Sequence, residues 1–378
     1  MLIGEDLYQG YHVGFSCNEK SQAGESRMFM CKVVLLLLQG DIPALGKATG
    51  FVHQGDFHCH WCMQQSKKNP VTNRHYCADF RRWLPQDSMM RAAGGNFLQP
   101  ELRLPPPLRQ HRNVVRQGLQ GRDYTGAEDK HPKILTGIRD WCPLCFVPGF
   151  DIVWDVVGDF MHAVKWYPSH LVSAMNGKTQ LAPPRILQLQ LKRGLSEAEV
   201  ADRHRINETR LEEHRRHKEA MKGIFVAQEQ RDLVDARFSR LLGEGGIGRQ
   251  DKTIFRKMST MLTSDWQHFL QYCDPYVFQD ILPEPYNSTY FQITGIYRSI
   301  LAFQCNVKQT EDEAKLQVSR LEHEISAALV AFERVFPSAL LSGPVIHTLV
   351  HYPAFMFRWN SVRNYWCYFN ERYNPISQ

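Results

Sequence analysis

The sequence predicts an α/β protein that carries a large α-helical portion, and three observations point there. Two short apolar, β-branched runs lead into Gly40-Asp41 and Gly158-Asp159: Met30–Gln39 has the pattern of a buried strand that ends on a carboxylate, and Phe150–Val157 that of a second strand or a buried turn. Two capping boxes, Ser196 with Glu199 and Thr310 with Glu313, open long helical stretches. Across 378 residues the chain is 43% apolar and 22% charged, which is ordinary for a globular protein and excludes wholesale disorder, collagen and a coiled-coil rod.

Each element follows from local chemistry. Asp41 ends the first strand, where active sites of α/β folds lie. From Pro100 to Pro132 the composition shifts to Pro105-Pro106-Pro107, scattered arginines and Gly118, Gly121 and Gly126, an irregular basic connection. The dense alternating charge from Glu197 to Lys222 fits a solvated helix. Gly243–Gly248 reads as a loop, because a phosphate-cradling loop needs a following Lys-Ser/Thr that is missing here. After Thr310, Leu316, Val318, Leu321, Ile325, Ala328, Leu329 and Phe332 recur mostly three and four apart and predict an amphipathic helix.

Charge and cysteine usage bound the partners. Subtracting 39 acidic from 45 basic residues leaves +6, which suits an anionic partner without demanding one. The longest aliphatic run, Val33–Leu38, is far below the roughly 18 residues of a membrane span, so no membrane partner is expected. Ten cysteines are too dilute for a disulfide scaffold, and no secretion signal opens the chain, so an intracellular protein is expected.

Four cysteines form two Cys-x-x-Cys pairs, Cys59/Cys62 and Cys142/Cys145. Two thiolates at this spacing can reach one tetrahedral metal at about 2.3 Å each, which supplies half a zinc site. The other half has three candidate sources. His347 and His351 would share a helix face, His75 and Cys77 would close a compact local knuckle, and Cys142 with Cys145 would complete a four-cysteine site. The alternative for Cys142 and Cys145 is a pair of small buried apolar residues.

Carboxylates are the other candidates, because two-metal phosphoryl transfer needs Asp or Glu oxygens converging on ions about 3.5 to 4 Å apart. Asp41 qualifies by its strand-end position. Glu371 lies among Trp366, Tyr368, Phe369 and Tyr373, where an unpaired acid is costly to bury unless a metal or an arginine such as Arg363 or Arg372 relieves it.

The order of several short segments resembles the CACTA-type (En/Spm-like) transposase family over most of the chain. Gly40-Asp41-Ile42-Pro43-Ala44 with Gly50-Phe51 looks like the family's Asp-x-Pro-Ala block, and Cys59-x-x-Cys62 follows at the expected interval. Arg81-Arg82-Trp83-Leu84-Pro85 resembles Arg-Arg-Phe-Leu-Pro, and Asp159-Phe160-Met161-His162 matches Asp-x-Met-His. Trp266 to Leu270 with Ile281-Leu282-Pro283, then His347-x-x-x-His351 and the aromatic stretch to Glu371, complete the order.

This resemblance implies a ribonuclease-H-like core of the Asp-Asp-Glu type interrupted by a helical insertion. It divides the chain into a partial core with the Cys-x-x-Cys motif over 1–99, a basic connection over 100–149, a mainly helical insertion over 150–345, and a return to the core over 346–378. Asp41 and Glu371 would be catalytic acids holding Mg²⁺ or Mn²⁺, with Asp159 lining or supporting the site. Cys59, Cys62, His347 and His351 would hold a structural zinc ion that pins the two ends of the insertion together.

The family's first acid has no counterpart in the forty residues before Asp41, so cleavage and strand transfer are expected to be impaired. The family implies DNA as partner and the nucleus as location, and it is compatible with a homo-oligomer. The rival expectation is a non-catalytic DNA-binding or scaffold remnant, or a pseudogene product. In the DNA-binding case Arg103, Arg109, Arg112, Arg116 and Arg122 would make salt-sensitive phosphate contacts.

Overall fold

A computed structural model describes residues 12–13, 31–32, 37–68, 75–77, 79–85, 87–88, 104–123, 132–177, 196–245, 253–304, 309–336, 340 and 344–366. Its architecture is mostly helical, with small strand pairings. Strand β1 (Leu38–Gly40) runs parallel to β2 (Val156–Gly158), pairing Leu38 with Val156 and Gly40 with Gly158. The second strand takes up only the end of its apolar run, Phe150–Val157. Asp151 delays its start, because the carboxylate accepts the backbone N–H groups of Val153 and Trp154 and folds residues 152–154 into a turn. Among the described residues the sheets are three two-stranded pairings, so the larger sheet of a ribonuclease-H core is not part of what they show.

Each strand of the parallel pair feeds a helix capped by the aspartate that follows it. Asp41 caps α1 (Ile42–Thr49), accepting the Ala44 N–H at 2.6 Å. The basic connection is more ordered than its composition suggested, because α2 (His111–Arg122) buries Val114, Gly118 and Gly121. Gly118 and Gly121 lie against the backbone of 139–141 and act as contact points for close packing, where a Cβ would meet Trp141 Cα at 2.9 Å or the Arg139 carbonyl at 2.6 Å. Asp159 caps α3 (Phe160–Met175), whose apolar face enters the core.

Beyond α3 come α4 (Glu197–Lys222) and α5 (Gln228–Gly245). The Ser196 capping box forms as expected, and α4 is almost wholly solvated. The glycine-rich stretch at 243–248 enters the helix first, since α5 continues through Gly245. Helices α6 (Tyr286–Ala302) and α7 (Glu311–Val335) pack extensively together. The Thr310 capping box is present, and Leu321, Ile325, Ala328, Leu329 and Phe332 are buried. Leu316, expected in the same stripe, is 54% exposed because the N-terminal half of α7 projects from the core.

A single apolar core runs from Leu45 to Tyr365. The segment expected as an insertion therefore contributes β2 and α3 to the same core as β1 and α1. Among the described residues no helix is long and apolar enough to cross a membrane.

Candidate metal centre

The Cys59–Cys62 loop is built from the backbone outward. It is held on one side where the Arg109 N–H donates to the Trp61 carbonyl and Met63 N–H to the Pro107 carbonyl, each at 2.9 Å. The Arg109 guanidinium then ties the carbonyls of Phe57, Cys59 and Thr136 at 3.2, 3.0 and 2.6 Å. Gly137 makes this approach feasible, because its φ of 74° suits glycine and a Cβ there would meet the Phe57 carbonyl oxygen at 1.8 Å. Inside the loop, Trp61 Nε1 donates to the Val156 carbonyl at 2.8 Å and His60 Nε2 to the Ile152 carbonyl at 2.8 Å. The loop is thus fastened to the start of β2.

The facing half comes from α8 (Pro344–Thr348), which tightens into a 3₁₀ turn over Leu349–His351 before α9 (Tyr352–Trp359). His347 and His351 remain neighbours across this tightened turn, with their Nε2 atoms 3.3 Å apart. Cys59 Sγ lies 3.3 Å from His351 Nε2, and Cys62 Sγ lies 3.3 Å from His347 Nε2. The ligand atoms of Cys59, Cys62, His347 and His351 all fall within 4.8 Å of one another, and all four residues are buried. A tetrahedral zinc with bonds of about 2.3 Å to sulfur and 2.0–2.1 Å to nitrogen requires donor separations of about 3.3 to 3.8 Å. The observed N–N and S–N spacings fit that size.

The surroundings prepare these groups for a metal. Each sulfur accepts the backbone N–H two residues on, from Trp61 and Gln64 at 3.4 Å. Burial opposes ionisation of Cys59, but the Cys62 thiol and the two imidazoles outweigh it and hold Cys59 well below the ordinary thiol range. Burial likewise opposes a proton on His347, yet Cys77 and Cys59 raise it to about 10, so a metal there replaces a proton. Cys62 moves the other way, pushed up by burial and by Cys59. Trp61 and Trp83 enclose His351 with ring centroids 5.4 Å away, which keeps the centre dry. Trp83 is placed by a 3₁₀ turn, Phe80–Trp83, whose leading N–H groups at Asp79 and Phe80 donate to Glu333 of α7 at 2.5 and 3.0 Å. This assigns a packing role to the Arg81–Pro85 motif.

The competing ligand sets are not assembled. His75 turns to Ser66 at 3.1 Å and Asp56 at 3.7 Å, and Cys77 lies 3.6 Å from His58, so the local knuckle does not close. Cys142 Sγ donates to the Ala48 carbonyl at 2.9 Å, and burial pushes both Cys142 and Cys145 up. That pair follows its apolar reading.

The carboxylates are partly brought together. Asp41 and Asp159 directly follow the paired residues Gly40 and Gly158, and both line one cavity of about 650 Å³. Asp159 is buried and accepts the N–H groups of Met161 and His162 and the His162 ring at 2.6 Å, which makes it a positioning residue. Among the described residues neither acid joins a cluster of three or more metal-ligating side chains. Glu371 and Arg103 lie outside the described residues.

The remaining arginines divide. Arg109 is 4% exposed and consumed by carbonyls, which corrects its reading as a phosphate contact. Arg112, Arg116 and Arg122 are exposed on α2, with Arg122 paired to Asp123 at 2.9 Å. Sequence reasoning missed the cavity's histidines at 53, 58 and 170, and it missed Trp166. The signal was present in part, because Asp159, His162, Trp166 and His170 recur at three- and four-residue spacing on one face of α3.

The sequence matches no protein-family profile and no curated protein.

Proposed function

We propose that this chain is a zinc-pinned, transposase-derived protein of the CACTA type that binds DNA and is impaired in cleaving it. The observation that carries this reading is the buried cluster itself. Residues 59–62 and 347–351, 285 or more positions apart, meet in a closed set of four donors. Four protein ligands and no open position describe a structural rather than a catalytic zinc site. Its place supports the resemblance, because both halves are bonded to the parallel pair that carries the strand-end acids. Trp61 reaches the Val156 carbonyl, and the Tyr352 hydroxyl reaches the Gly158 carbonyl at 3.3 Å.

At the cavity, Mg²⁺ or Mn²⁺ held by carboxylates supplies nucleophile activation and charge neutralisation in phosphodiester chemistry. Asp41 stands half-exposed at the cavity and is the residue suited to such an ion. Asp159 is committed to capping α3 and to orienting His162. Among the described residues no third carboxylate joins these two at the cavity, and in this reading the positioning of two ions, and with it cleavage, is impaired. Arg112 and Arg116, one turn apart on α2, support the DNA-binding component through phosphate contacts. Nuclear residence belongs to this proposal as well.

The test combines metal analysis with DNA assays on the full chain. About one zinc per chain is expected, together with salt-sensitive duplex binding and little nicking of supercoiled DNA in Mg²⁺ or Mn²⁺. Robust nicking that is abolished by Asp41→Ala overturns the impairment. Duplex affinity that is absent at low salt overturns the DNA reading.

A further inference from the structure

Helix α3 is two-faced in an unusual way. Phe160, Val164, Tyr167, Leu171 and Met175 fill the core, while Asp159, His162, Trp166, Ser169 and His170 line the 650 Å³ cavity. Within that second face the aromatic rings are fixed before any ligand arrives. Trp166 and His170 stack with centroids 4.2 Å apart at 25°. Ser169 Oγ and His170 Nδ1 both donate to the Trp166 carbonyl, at 3.1 and 2.8 Å, which locks the His170 ring against the indole. The volume lies within the roughly 300–1,000 Å³ of small-ligand sites.

The charge around this platform disfavours an isolated phosphate. The permanent charges lining it are Asp41, Asp159 and Lys165, two negative against one positive. What the lining offers is aromatic surface together with hydrogen-bonding side chains such as His53, Gln54 and Ser169. That chemistry recognises a planar, uncharged heteroaromatic ring with donors and acceptors on its edge.

We propose that this cavity is a nucleobase pocket, in which a base unstacked from a DNA strand lies on the Trp166–His170 platform while its backbone stays outside. The inference rests on the DNA reading above and names the part of the substrate that this site takes. Stacking of a base on an aromatic side chain contributes about 1–3 kcal/mol, so loss of the platform lowers affinity about 5- to 150-fold. Because stacking releases no counterions, this loss is the same at low and moderate salt, unlike the loss of a phosphate-contacting arginine.

The experiment uses the full-length, zinc-loaded protein and single-stranded oligonucleotides carrying 2-aminopurine. The expected result is quenched emission on binding, a 5- to 150-fold weaker complex with restored emission for Trp166→Ala, and affinity within a few-fold of the native protein for Trp166→Phe. Arg112→Ala serves as contrast and lowers the salt dependence without restoring emission. Unchanged zinc content and thermal unfolding of Trp166→Ala exclude misfolding as the cause.

If Trp166→Ala binds and quenches like the native protein, the pocket is overturned while DNA binding stands. Should the native protein ignore DNA but bind free adenosine in a Trp166-dependent manner, the pocket survives and the transposase reading falls. Absence of binding to either probe overturns both.

Discussion

The two Cys-x-x-Cys pairs share their spacing and even their local turn, yet only one becomes a candidate metal centre. In each pair the first sulfur accepts the N–H of the residue two positions on at 3.4 Å, from Trp61 for Cys59 and from Leu144 for Cys142. The difference lies in what faces them. Cys59 and Cys62 meet two imidazoles, whereas Cys142 meets the Ala48 carbonyl and donates its S–H there. A thiol that spends its proton on a carbonyl is satisfied as a neutral group. Beside the buried imidazoles and the Cys62 thiol, Cys59 is drawn toward the thiolate. Spacing creates the opportunity, and distant residues decide whether it is used.

The sharpest way to break this comparison is to remove the distant half. In the double variant His347→Ala, His351→Ala, or after treatment with a strong chelator, the first pair loses its metal and the core loses the link between 59–62 and 347–351. Structural zinc supplies roughly 10–16 kcal/mol in small zinc-binding peptides, which rivals the 5–15 kcal/mol total stability of typical domains. The expected outcome is loss of cooperative thermal unfolding by calorimetry, with zinc falling from about one per chain to near zero. Retained zinc in the double variant would move the site to other ligands.

Next in size is Arg109→Ala, which leaves the ligands intact and removes the brace behind Cys59. Its guanidinium satisfies three carbonyls, at Phe57, Cys59 and Thr136. Orphaning such groups costs about 1–3 kcal/mol each, partly recovered by water. A destabilisation of roughly 3–5 kcal/mol by denaturant titration is expected, with weakened zinc retention. Arg109→Lys does not rescue it, because a point ammonium cannot span three carbonyls in one plane.

How much of this was legible in the sequence follows from the range over which each signal acts. The capping boxes at Ser196 and Thr310 are local, and both are present as read. The pair His347/His351 was legible as a spacing, but its meeting with Cys59 and Cys62 is tertiary and came only as one of three alternatives for the other half of the site. Arg109 was read as a DNA contact because composition reports charge and not burial. The Phe150–Val157 run left a strand and a buried turn open, and it holds both, because the Asp151 side chain takes the backbone N–H groups of Val153 and Trp154 before the strand begins at Val156. The α3 platform escaped notice because its members are few and interleaved with core positions.

A third test sharpens the comparison through pH. His60 sits inside the first pair, and burial, followed by the neighbouring Arg109 charge, holds it down to about 4 despite its bond to the Ile152 carbonyl. Its folded value lies below the unfolded value of about 6.5, so the unfolded chain binds more protons between them. The stability His60 contributes is present above pH 6.5 and is lost as pH falls toward 4, by up to about 3 kcal/mol. The second pair holds no such group. His60→Gln, uncharged throughout, is expected to flatten the stability profile in this window when unfolding free energies are compared at pH 7, 5.5 and 4.5.

The smallest effect is the most informative about spacing. Cys142→Ser keeps a donor for the Ala48 carbonyl and replaces a small buried sulfur with a hydroxyl, so a loss of about 1 kcal/mol is expected. Zinc content is expected to stay at about one per chain. The contrast is Cys59→Ser, the same substitution at the same position of the other pair, which removes a metal ligand and is expected to abolish tight zinc binding. If Cys142→Ser also lost its zinc, the second pair would be contributing to the centre, and the facing imidazoles would no longer explain the difference between the two loops. Retained zinc in Cys142→Ser alongside loss in Cys59→Ser leaves burial against His347 and His351 as the property that separates a ligand from a buried thiol.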